Sequence, residues 1–327
     1  MPSWKSVSLT SPSSRGFRNH RVRIMTSESP ASRLTIWVLA ARPKTLWASV
    51  APVIVGSAVA YRDGFSHWPS ALAALVAAVL IQIGTNLAND LFDHLRGADT
   101  PDRQGPLRVT QAGLATPGQV RTAMIVVLSL AFLIGVYLVT RGGWPIAAIG
   151  LCSIAAAILY TGGPYPFGYY GWGDLFVFVF FGPVAVVGTY YVQALQATST
   201  VWISSIPMGA LATAILIVNN LRDIDTDRRA GKRTLAVRFG RYHSIGEYAL
   251  MLVLSIVVPV IMYLRHLSGA AILLASVVSI VFVPLLMKSL RSQQQPMKVG
   301  AILNDLLAKT ARVKLAYAIA FAVGINL

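Results

Sequence analysis

Charged side chains are scarce in this chain: Asp, Glu, Lys and Arg together make up only 12% of its 327 residues. Soluble domains carry roughly 25% of these residues, so the composition argues against a soluble globular protein. Cysteine is scarcer still. The one cysteine, Cys152, excludes an intrachain disulfide, and its position in the apolar run IGLCSIAAAIL predicts a buried, unreactive thiol.

Signals for nucleic-acid binding and for histidine-based metal sites are also missing. The net charge of +16 comes without a separate basic domain or a known recognition motif, so we predict no nucleic-acid partner. The five histidines are scattered along the chain without the spacing of metal ligands.

Long apolar segments are abundant. Hydrophobic residues make up 55% of the chain and the mean hydropathy is +0.62. Apolar runs of about 20 residues, the length that crosses a bilayer, recur throughout. The pattern predicts an all-α, polytopic protein embedded in the lipid bilayer, with nine transmembrane helices. We predict them at residues 35–60, 69–95, 119–140, 144–162, 173–192, 203–222, 244–264, 269–288 and 309–326.

The basic residues fall mostly on one side of these spans. Of the 28 Lys and Arg, 25 lie in the N-terminal segment or near the loops after the second, sixth and eighth spans. The positive-inside rule then predicts an integral cytoplasmic (inner) membrane protein with a cytoplasmic N-terminus and its C-terminus on the opposite side. Residues 1–33 are polar and predicted to be a disordered tail, and residues 34–327 to form the transmembrane domain.

The few acidic residues are concentrated at the ends of two predicted spans. Seven of the twelve Asp and Glu lie there: Asp90, Asp93, Asp99, Asp102, Asp223, Asp225 and Asp227. The first motif reads NLANDLFDHLRGADTPDR and the second NNLRDIDTDRRAGKRT. Each follows an apolar helix, begins with Asn and ends in a basic loop that contains Gly. Their separation by four spans suggests two related helical halves.

Helical spacing places the polar side chains of each motif on one face. The residues concerned are Asn86, Asn89, Asp90 and Asp93 in the first motif and Asn219, Asp223 and Asp227 in the second. Asp225 lies off this face. Like charges at these spacings repel, and Asp is unfavourable near hydrocarbon, so we predict bound cations. Mg²⁺ prefers oxygen ligands and is typically held by one or two carboxylates together with phosphates. The alternative is that these carboxylates pair only with nearby arginines in a solvated loop.

In these motifs the chain resembles the UbiA-type superfamily of intramembrane aromatic prenyltransferases. The signature N-D-x-x-D occurs as Asn89 to Asp93, D-x-x-x-D occurs as Asp223 to Asp227, and the resemblance covers residues 35–327. Many members carry a further Asp four residues after the first signature, where this chain has Gly97. The resemblance implies a nine-helix bundle around a cytoplasm-facing central cavity.

Several segments are similar to the 1,4-dihydroxy-2-naphthoate polyprenyltransferases of menaquinone synthesis. They are ARPKTL at 41–46, the aromatic stretch that begins YTGGPYPFGYYGWGD at 160, and NNLRDIDTDRRAGKRTLAVRFG at 219–240. This similarity implies transfer of a polyprenyl group from polyprenyl diphosphate to 1,4-dihydroxy-2-naphthoate. Diphosphate and carbon dioxide are lost, and demethylmenaquinone is the product.

The resemblance also implies roles for individual side chains. Asn89, Asp93, Asp223 and Asp227 are the implied Mg²⁺ and diphosphate ligands, with Asp90 as a further catalytic candidate. The candidates for binding the substrates are Arg42, Lys44, Asn86, Arg108, Asn219 and Lys232. For Arg42, Lys44 and Lys232, ordinary positive-inside anchoring is an equal alternative. Tyr160 is the aromatic side chain selected to stabilise an allylic carbocation, and Asp174 is either a helix N-cap or a neighbour of the aromatic substrate.

Other functions stay open from sequence alone. The acceptor could instead be a phylloquinone-type naphthoate with a phytyl donor, 4-hydroxybenzoate or homogentisate. A secondary transporter is a second alternative, although transporters bind substrates near the bilayer midplane, whereas these carboxylates lie at helix ends. The sequence leaves the prenyl chain length and the oligomeric state undetermined.

Overall fold

Helices are the only regular secondary structure in the part of the chain that the computed structural model describes, residues 32–98, 105–291 and 299–327. They are α1 (Arg33–Ala41), α2 (Pro43–Arg62), α3 (Trp68–Leu95), α4 (Pro117–Gly142), α5 (Trp144–Leu159), α6 (Gly173–Val179), α7 (Ala185–Ala194), α8 (Ser199–Arg222), α9 (Ile224–Arg229), α10 (Leu235–Leu264), α11 (Leu273–Arg291) and α12 (Val299–Asn326). A π-helical turn, Phe180–Val184, joins α6 to α7. The all-α class is therefore confirmed. The predicted tail at 1–33 falls almost entirely outside the described residues, as do Asp99 and Asp102.

Seven segments of the described chain are long and apolar enough to cross a membrane. They are α2, α3, α4, the continuous segment from α6 to α7, α8, α10, and α11 with the 3₁₀ turn before it. The chain is therefore an integral membrane protein. Of the two other predicted spans, α5 has only 16 residues and α12 carries charges in its first half. The number nine stays a prediction.

The predicted span at 35–60 is wrong as a single helix, because the chain breaks at Arg42 between α1 and α2. Arg42 has the left-handed backbone angles φ 53 and ψ 69. It precedes Pro43, whose ring disfavours a helical conformation at the preceding residue. From α3, the Asn86 side-chain amide donates to the Ala41 carbonyl oxygen at 2.8 Å and to the Thr45 hydroxyl at 3.0 Å. The break is thus held in place by a neighbouring helix.

Two other helix starts differ from the predicted ones. Helix α10 begins at Leu235 instead of 244, because the Thr234 hydroxyl accepts from the Val237 N–H at 3.3 Å and caps the helix. It bends at Gly240, where φ is 82. Helix α12 begins at Val299 instead of 309, because its first half is charged and hydropathy alone does not detect it.

The predicted burial of Cys152 is wrong as well: this residue is exposed. A bilayer is as apolar as the interior of the protein. An apolar run in a membrane helix therefore indicates contact with lipid as readily as contact with other helices.

Close helix packing fixes the segment from α6 to α7 against α8. The most apolar stretch of α8 is 72% buried, the largest share among the seven candidate spans. A Cβ atom at Gly209 would lie 2.5 Å from the Phe178 carbonyl oxygen, and one at Gly182 would lie 2.9 Å from the Ser205 carbonyl oxygen. Both approaches involve rigid backbone atoms. Small residues allow this distance between membrane helices.

We therefore expect Gly209→Ala to lower the stability by about 1–3 kcal/mol, the usual effect of overpacking a tight contact. The measurement is the thermal unfolding midpoint in detergent. Gly246→Ala on α10 is the matched control, because a Cβ atom there would have no neighbour within 4 Å. Equal midpoints for the two variants would contradict the close contact.

Candidate active site

A cavity of about 670 Å³ lies among the helices, with a polar end and a long apolar part. The polar side chains that line it include Arg42, Asn89, Asp93, Arg108, Tyr160, Thr161, Tyr169, Asn219, Asp223, Asp227 and Lys232. The structure thus brings both acidic motifs to one cavity, although they are more than a hundred residues apart in the chain.

Asp93, at the end of α3, is the most heavily contacted carboxylate of this site. It is 1% exposed. The Tyr169 hydroxyl donates to one carboxylate oxygen at 2.5 Å, and the Arg108 guanidinium donates to the other at 2.5 Å. The Lys232 ammonium lies 3.4 Å from that second oxygen. Charge-assisted hydrogen bonds of this kind are stronger than neutral ones, so the position of Asp93 is tightly defined.

Lys232 joins the two motifs. Its ammonium lies 3.5 Å from Asp227 as well as 3.4 Å from Asp93, and 4.7 Å from the centroid of the Tyr169 ring. Burial raises the pKa of Asp227 to about 6, against the opposing effect of the Lys232 charge. Burial and the Asp93 charge raise the pKa of Tyr169, so its hydroxyl keeps the proton that it donates.

Asp223 follows the last residue of α8 and is held by Arg222. The guanidinium donates to both carboxylate oxygens, at 2.8 and 2.6 Å, and also to Asn219 at 2.7 Å and Asn304 at 2.9 Å. The predicted continuous helix through Asp227 is wrong. The backbone leaves the helix at Asp223, with φ −96 and ψ 10, before α9 begins. Asn219, Asp223 and Asp227 nevertheless all line the cavity.

Asp90 lies elsewhere, although its spacing predicted a shared face with Asp93. It does not line the cavity. Its buried carboxylate accepts from the backbone N–H groups of Val109 at 2.9 Å and Thr110 at 3.2 Å. Asp90 therefore holds the loop that carries Arg108, and we assign it a positioning role instead of the predicted catalytic one.

Five other predicted residues occupy distinct places. Arg42 and Tyr160 line the cavity, whereas Lys44 is exposed and does not. Asn86 supports the backbone break at Arg42 and is absent from the cavity lining, so its effect on a ligand would be indirect. Asp174 is buried at the start of α6 without lining the cavity.

Sequence reasoning missed the importance of Tyr169 and Thr161. Thr161 donates to the side-chain oxygen of Asn89 at 3.0 Å, and Tyr169 contacts Asp93 as described. Both belong to the stretch YTGGPYPFGYYGWGD, in which Tyr160 was the one aromatic residue predicted to act in the site. Its turns at Gly163 (φ 75) and Gly171 (φ 83) direct the loop across the polar end of the cavity. The density of glycine around the tyrosines was the available signal.

The side chains fit a metal ion only in combination with a ligand. Among the described residues, no group of three or more His, Cys, Asp or Glu is close enough to hold a metal. Oxygen donors from Asn89, Asp93, Asp223 and Asp227 nevertheless line one cavity. Mg²⁺ is usually held by one or two protein carboxylates plus phosphate oxygens and water. The site therefore suits Mg²⁺ bound jointly with a phosphorylated molecule.

Comparison with known proteins agrees with this geometry. Residues 49–301, which include both motifs, match the UbiA prenyltransferase family. The chain belongs to this family. It is 39% identical over 291 residues to the 1,4-dihydroxy-2-naphthoate octaprenyltransferase of Mycobacterium leprae, covering 89% of this chain and 96% of that protein. To the Escherichia coli protein of the same name it is 39% identical over 310 residues, with 92% and 98% covered.

Solved structures of the family share the fold. A UbiA homolog from Archaeoglobus fulgidus bound to DMAPP and Mg²⁺ superimposes with a TM-score of 0.60 at 15% identity, covering 88% of this chain and 99% of that one. The apo structure of a UbiA homolog from Aeropyrum pernix gives 0.61 at 15% identity, with 87% and 98% covered. The predicted resemblance to the family is confirmed.

Because two buried N–H groups depend on Asp90, we expect Asp90→Ala to destabilise the protein. An unsatisfied buried donor costs about 1–3 kcal/mol. The variant should show a lower unfolding midpoint in detergent and faster proteolysis within 105–116. The control is Asp225→Ala, whose side chain is 80% exposed. Unchanged proteolysis in the Asp90 variant would argue against the positioning role.

Proposed function

We propose that the protein is a Mg²⁺-dependent 1,4-dihydroxy-2-naphthoate polyprenyltransferase. The observation that carries this proposal is the meeting of Asp93 and Asp227 at Lys232, at the polar end of an otherwise apolar cavity. A diphosphate needs the polar end and a prenyl chain needs the apolar part. The names of the relatives from Mycobacterium leprae and Escherichia coli support the naphthoate as acceptor.

The charges that line the cavity support a divalent cation. Three carboxylates (Asp93, Asp223, Asp227) are matched there by three cationic side chains (Arg42, Arg108, Lys232). A diphosphate would add negative charge that these side chains cannot balance. Asn89 and the three carboxylates would hold Mg²⁺. When bound, the ion would act as a Lewis acid on the leaving diphosphate.

The residues of the chain then bind and orient the substrates. Arg108 and Lys232, which already contact Asp93, are placed to donate to diphosphate oxygens. Tyr169 holds Asp93 in orientation. Beside them, Tyr160, Phe176 and Phe180 present aromatic side chains to the cavity, which stabilise an allylic cation without attacking it.

The bond changes balance without an added oxidant. A carbon–carbon bond forms between C1 of the donor and the naphthoate ring, and the C1–oxygen bond to diphosphate breaks. The carboxylate leaves as carbon dioxide, and its electron pair restores the aromatic ring. The immediate product is demethylmenaquinone in its reduced, quinol form.

The proposal includes a placement in the membrane. Helix α5 and the apolar half of α12 would complete nine transmembrane helices, with the cavity opening toward the cytoplasm. The N-terminus would be cytoplasmic and the protein would lie in the inner membrane. The uneven distribution of Lys and Arg supports this orientation.

Product analysis tests the function directly. Membranes containing the protein are supplied with Mg²⁺, a polyprenyl diphosphate and, separately, 1,4-dihydroxy-2-naphthoate, 4-hydroxybenzoate or homogentisate. We expect a product of the mass of a prenylated, decarboxylated naphthol only with the naphthoate, and none when EDTA replaces Mg²⁺. Transfer to a different acceptor, or no diphosphate release with any donor, would overturn the assignment.

Removing one motif carboxylate should abolish most of the activity. We expect Asp93→Ala and Asp227→Ala each to lower kcat by about 100- to 1,000-fold, the usual effect of losing one charge-stabilising group. Asp225→Ala, an exposed neighbour outside the cavity lining, should leave kcat unchanged. The values of kcat are compared by steady-state kinetics on matched amounts of membrane-inserted protein. Near-normal rates in the Asp93 or the Asp227 variant would exclude that residue as a ligand.

The variant Tyr169→Phe tests the contribution of the hydroxyl separately from that of the ring. The ring still lies below Lys232, but Asp93 loses a hydrogen-bond donor. We expect kcat to fall by about 10- to 100-fold and half-maximal activity to require more Mg²⁺. Tyr165→Phe in the same loop, where the side chain is 72% exposed, is the control. An unchanged Mg²⁺ requirement would show that Tyr169 does not orient Asp93.

A further inference from the structure

Lys314 is a buried cation outside the candidate active site. It belongs to α12, its side chain is 0% exposed, and it does not line the cavity. Within the described part of the chain, no carboxylate forms an ion pair with it. Burying a lysine without a charged partner is unfavourable, and anchoring at the membrane surface does not explain a side chain with no exposed area. Its other contacts must offset this cost.

The ammonium of Lys314 has two such contacts. It donates to the carbonyl oxygen of Ala48 in α2 at 2.9 Å. It also lies 4.9 Å from the centroid of the Phe181 ring, in the π-helical turn between α6 and α7. An aromatic face attracts a cation at this distance. Lys314 therefore links α12, α2 and the π-helical turn.

The carbonyl group of Ala48 lacks its regular helical partner. In an α-helix each carbonyl accepts from the N–H four residues later, and four residues after Ala48 stands Pro52, inside α2. Proline has no N–H. A carbonyl freed in this way inside a membrane protein must be satisfied by a neighbouring group. Here the Lys314 ammonium donates in place of the missing N–H.

Helix α12 contacts the backbone of α2 at a second level as well. The Asn326 side-chain amide donates to the Ala58 carbonyl oxygen at 3.2 Å. The two carbonyls on α2 are ten residues apart and the two hydrogen-bond donors on α12 are twelve apart, which corresponds to about 15 and 18 Å along a helix. The helices therefore run parallel and side by side, and this packing keeps Lys314 beside Ala48.

The contacts of Lys314 lie directly behind the cavity wall. Ala48 and Phe181 both line the cavity, as do Thr45 and Val53 on either side of Ala48 in α2. A shift of α2 near its proline, or a rotation of the Phe181 ring, would change the shape of this wall. The carboxylates at the polar end would keep their contacts, because Lys314 touches none of them.

We propose that Lys314 is a positioning residue for the polyprenyl diphosphate. It replaces the N–H that Pro52 removes from α2, and it thereby holds Ala48 and Phe181 in the wall that receives the prenyl chain. Ala48, Val53 and Phe181 form an apolar surface, which suits a hydrocarbon chain. The identity of the ligand rests on the proposed function, whereas the pairing of Lys314 with Pro52 does not.

A double-mutant cycle tests the pairing without turnover. Lys314→Met leaves the Ala48 carbonyl without its hydrogen-bond donor, and Pro52→Ala restores the N–H of the helix. We expect Lys314→Met to lower the thermal unfolding midpoint in detergent, and to lower it by at most about half as much in the Pro52→Ala background. The control background is Pro259→Ala, a buried proline inside α10, where the full effect should remain.

Equal effects of Lys314→Met in all three backgrounds would overturn the pairing. If Lys314→Met alone yields no folded protein, the yield of folded protein is compared instead. Recovery in the Pro52→Ala background and not in the Pro259→Ala background is then the expected result, and failure in both would overturn the pairing.

Steady-state kinetics test the effect on the reaction. We expect Lys314→Met to raise the KM for polyprenyl diphosphate by about tenfold, while kcat and the KM for the naphthoate change by less than about threefold. Adding Pro52→Ala should return the KM for polyprenyl diphosphate toward the wild-type value. The control is Lys309→Met on the same helix, where a partly exposed ammonium pairs with Asp305 at 2.6 Å. It should leave all three constants unchanged.

A fall in kcat with an unchanged KM for polyprenyl diphosphate, or no recovery on adding Pro52→Ala, would overturn the positioning role. The two measurements also separate this inference from the proposed function. If the wild-type protein transfers no prenyl group, the proposed function fails, and the unfolding midpoints still decide whether Lys314 compensates for Pro52. If transfer is normal but the midpoints show no coupling, only the role of Lys314 is wrong.

Discussion

The Lys232 ammonium lies between two buried carboxylates that come from opposite halves of the chain, 3.4 Å from Asp93 and 3.5 Å from Asp227. Without a cation between them, two such carboxylates would repel each other in surroundings of low dielectric constant. The effect of burial on Asp227, whose pKa rises to about 6, shows how unfavourable the ionised form is there. Lys232 is the cation that the two carboxylates share, while Asp93 is also paired with Arg108 at 2.5 Å. A diphosphate would compete with both carboxylates for Lys232, and the displaced carboxylates would then be available to a divalent cation.

The two aspartates of the first motif have different tasks that depend on each other. Asp90 binds the backbone of Val109 and Thr110, and the residue directly before them, Arg108, donates to Asp93. Asp90, which does not line the cavity, thereby positions the guanidinium of Arg108, which does. This division explains why a chain with so few charges carries two carboxylates three residues apart. Asp90 holds the loop, and Asp93 provides negative charge in the site.

The sequence predicted the parts of this arrangement that follow from periodicity. Hydropathy found the apolar helices, and the spacing of Asn89 and Asp93 predicted a common polar surface that the cavity contains. Periodicity assumes a continuous helix, so it placed Asp90 beside Asp93 and extended α8 through Asp227. It also ran one span across Arg42. Two of these errors reflect tertiary contacts, which are the contact of Asp90 with the loop at Val109 and that of the Asn86 amide with Ala41. The third reflects the local pairing of Arg222 with Asp223. Tyr169 lies beyond the reach of such reasoning, because glycine turns direct it.

Helix α5 connects the two ends of the cavity, and its length determines where the aromatic loop begins. Its 16 residues span about 24 Å, less than the roughly 30 Å of a hydrocarbon core. Tyr160 and Thr161 follow its last residue directly, so the aromatic loop over the polar end begins at the level where α5 stops. Toward its other end, Ala147, Gly150 and Ile154 of α5 line the apolar part of the cavity. A longer α5 would move the loop away from Asp93. The short helix therefore lines the apolar part of the cavity and also places the aromatic loop at the carboxylates.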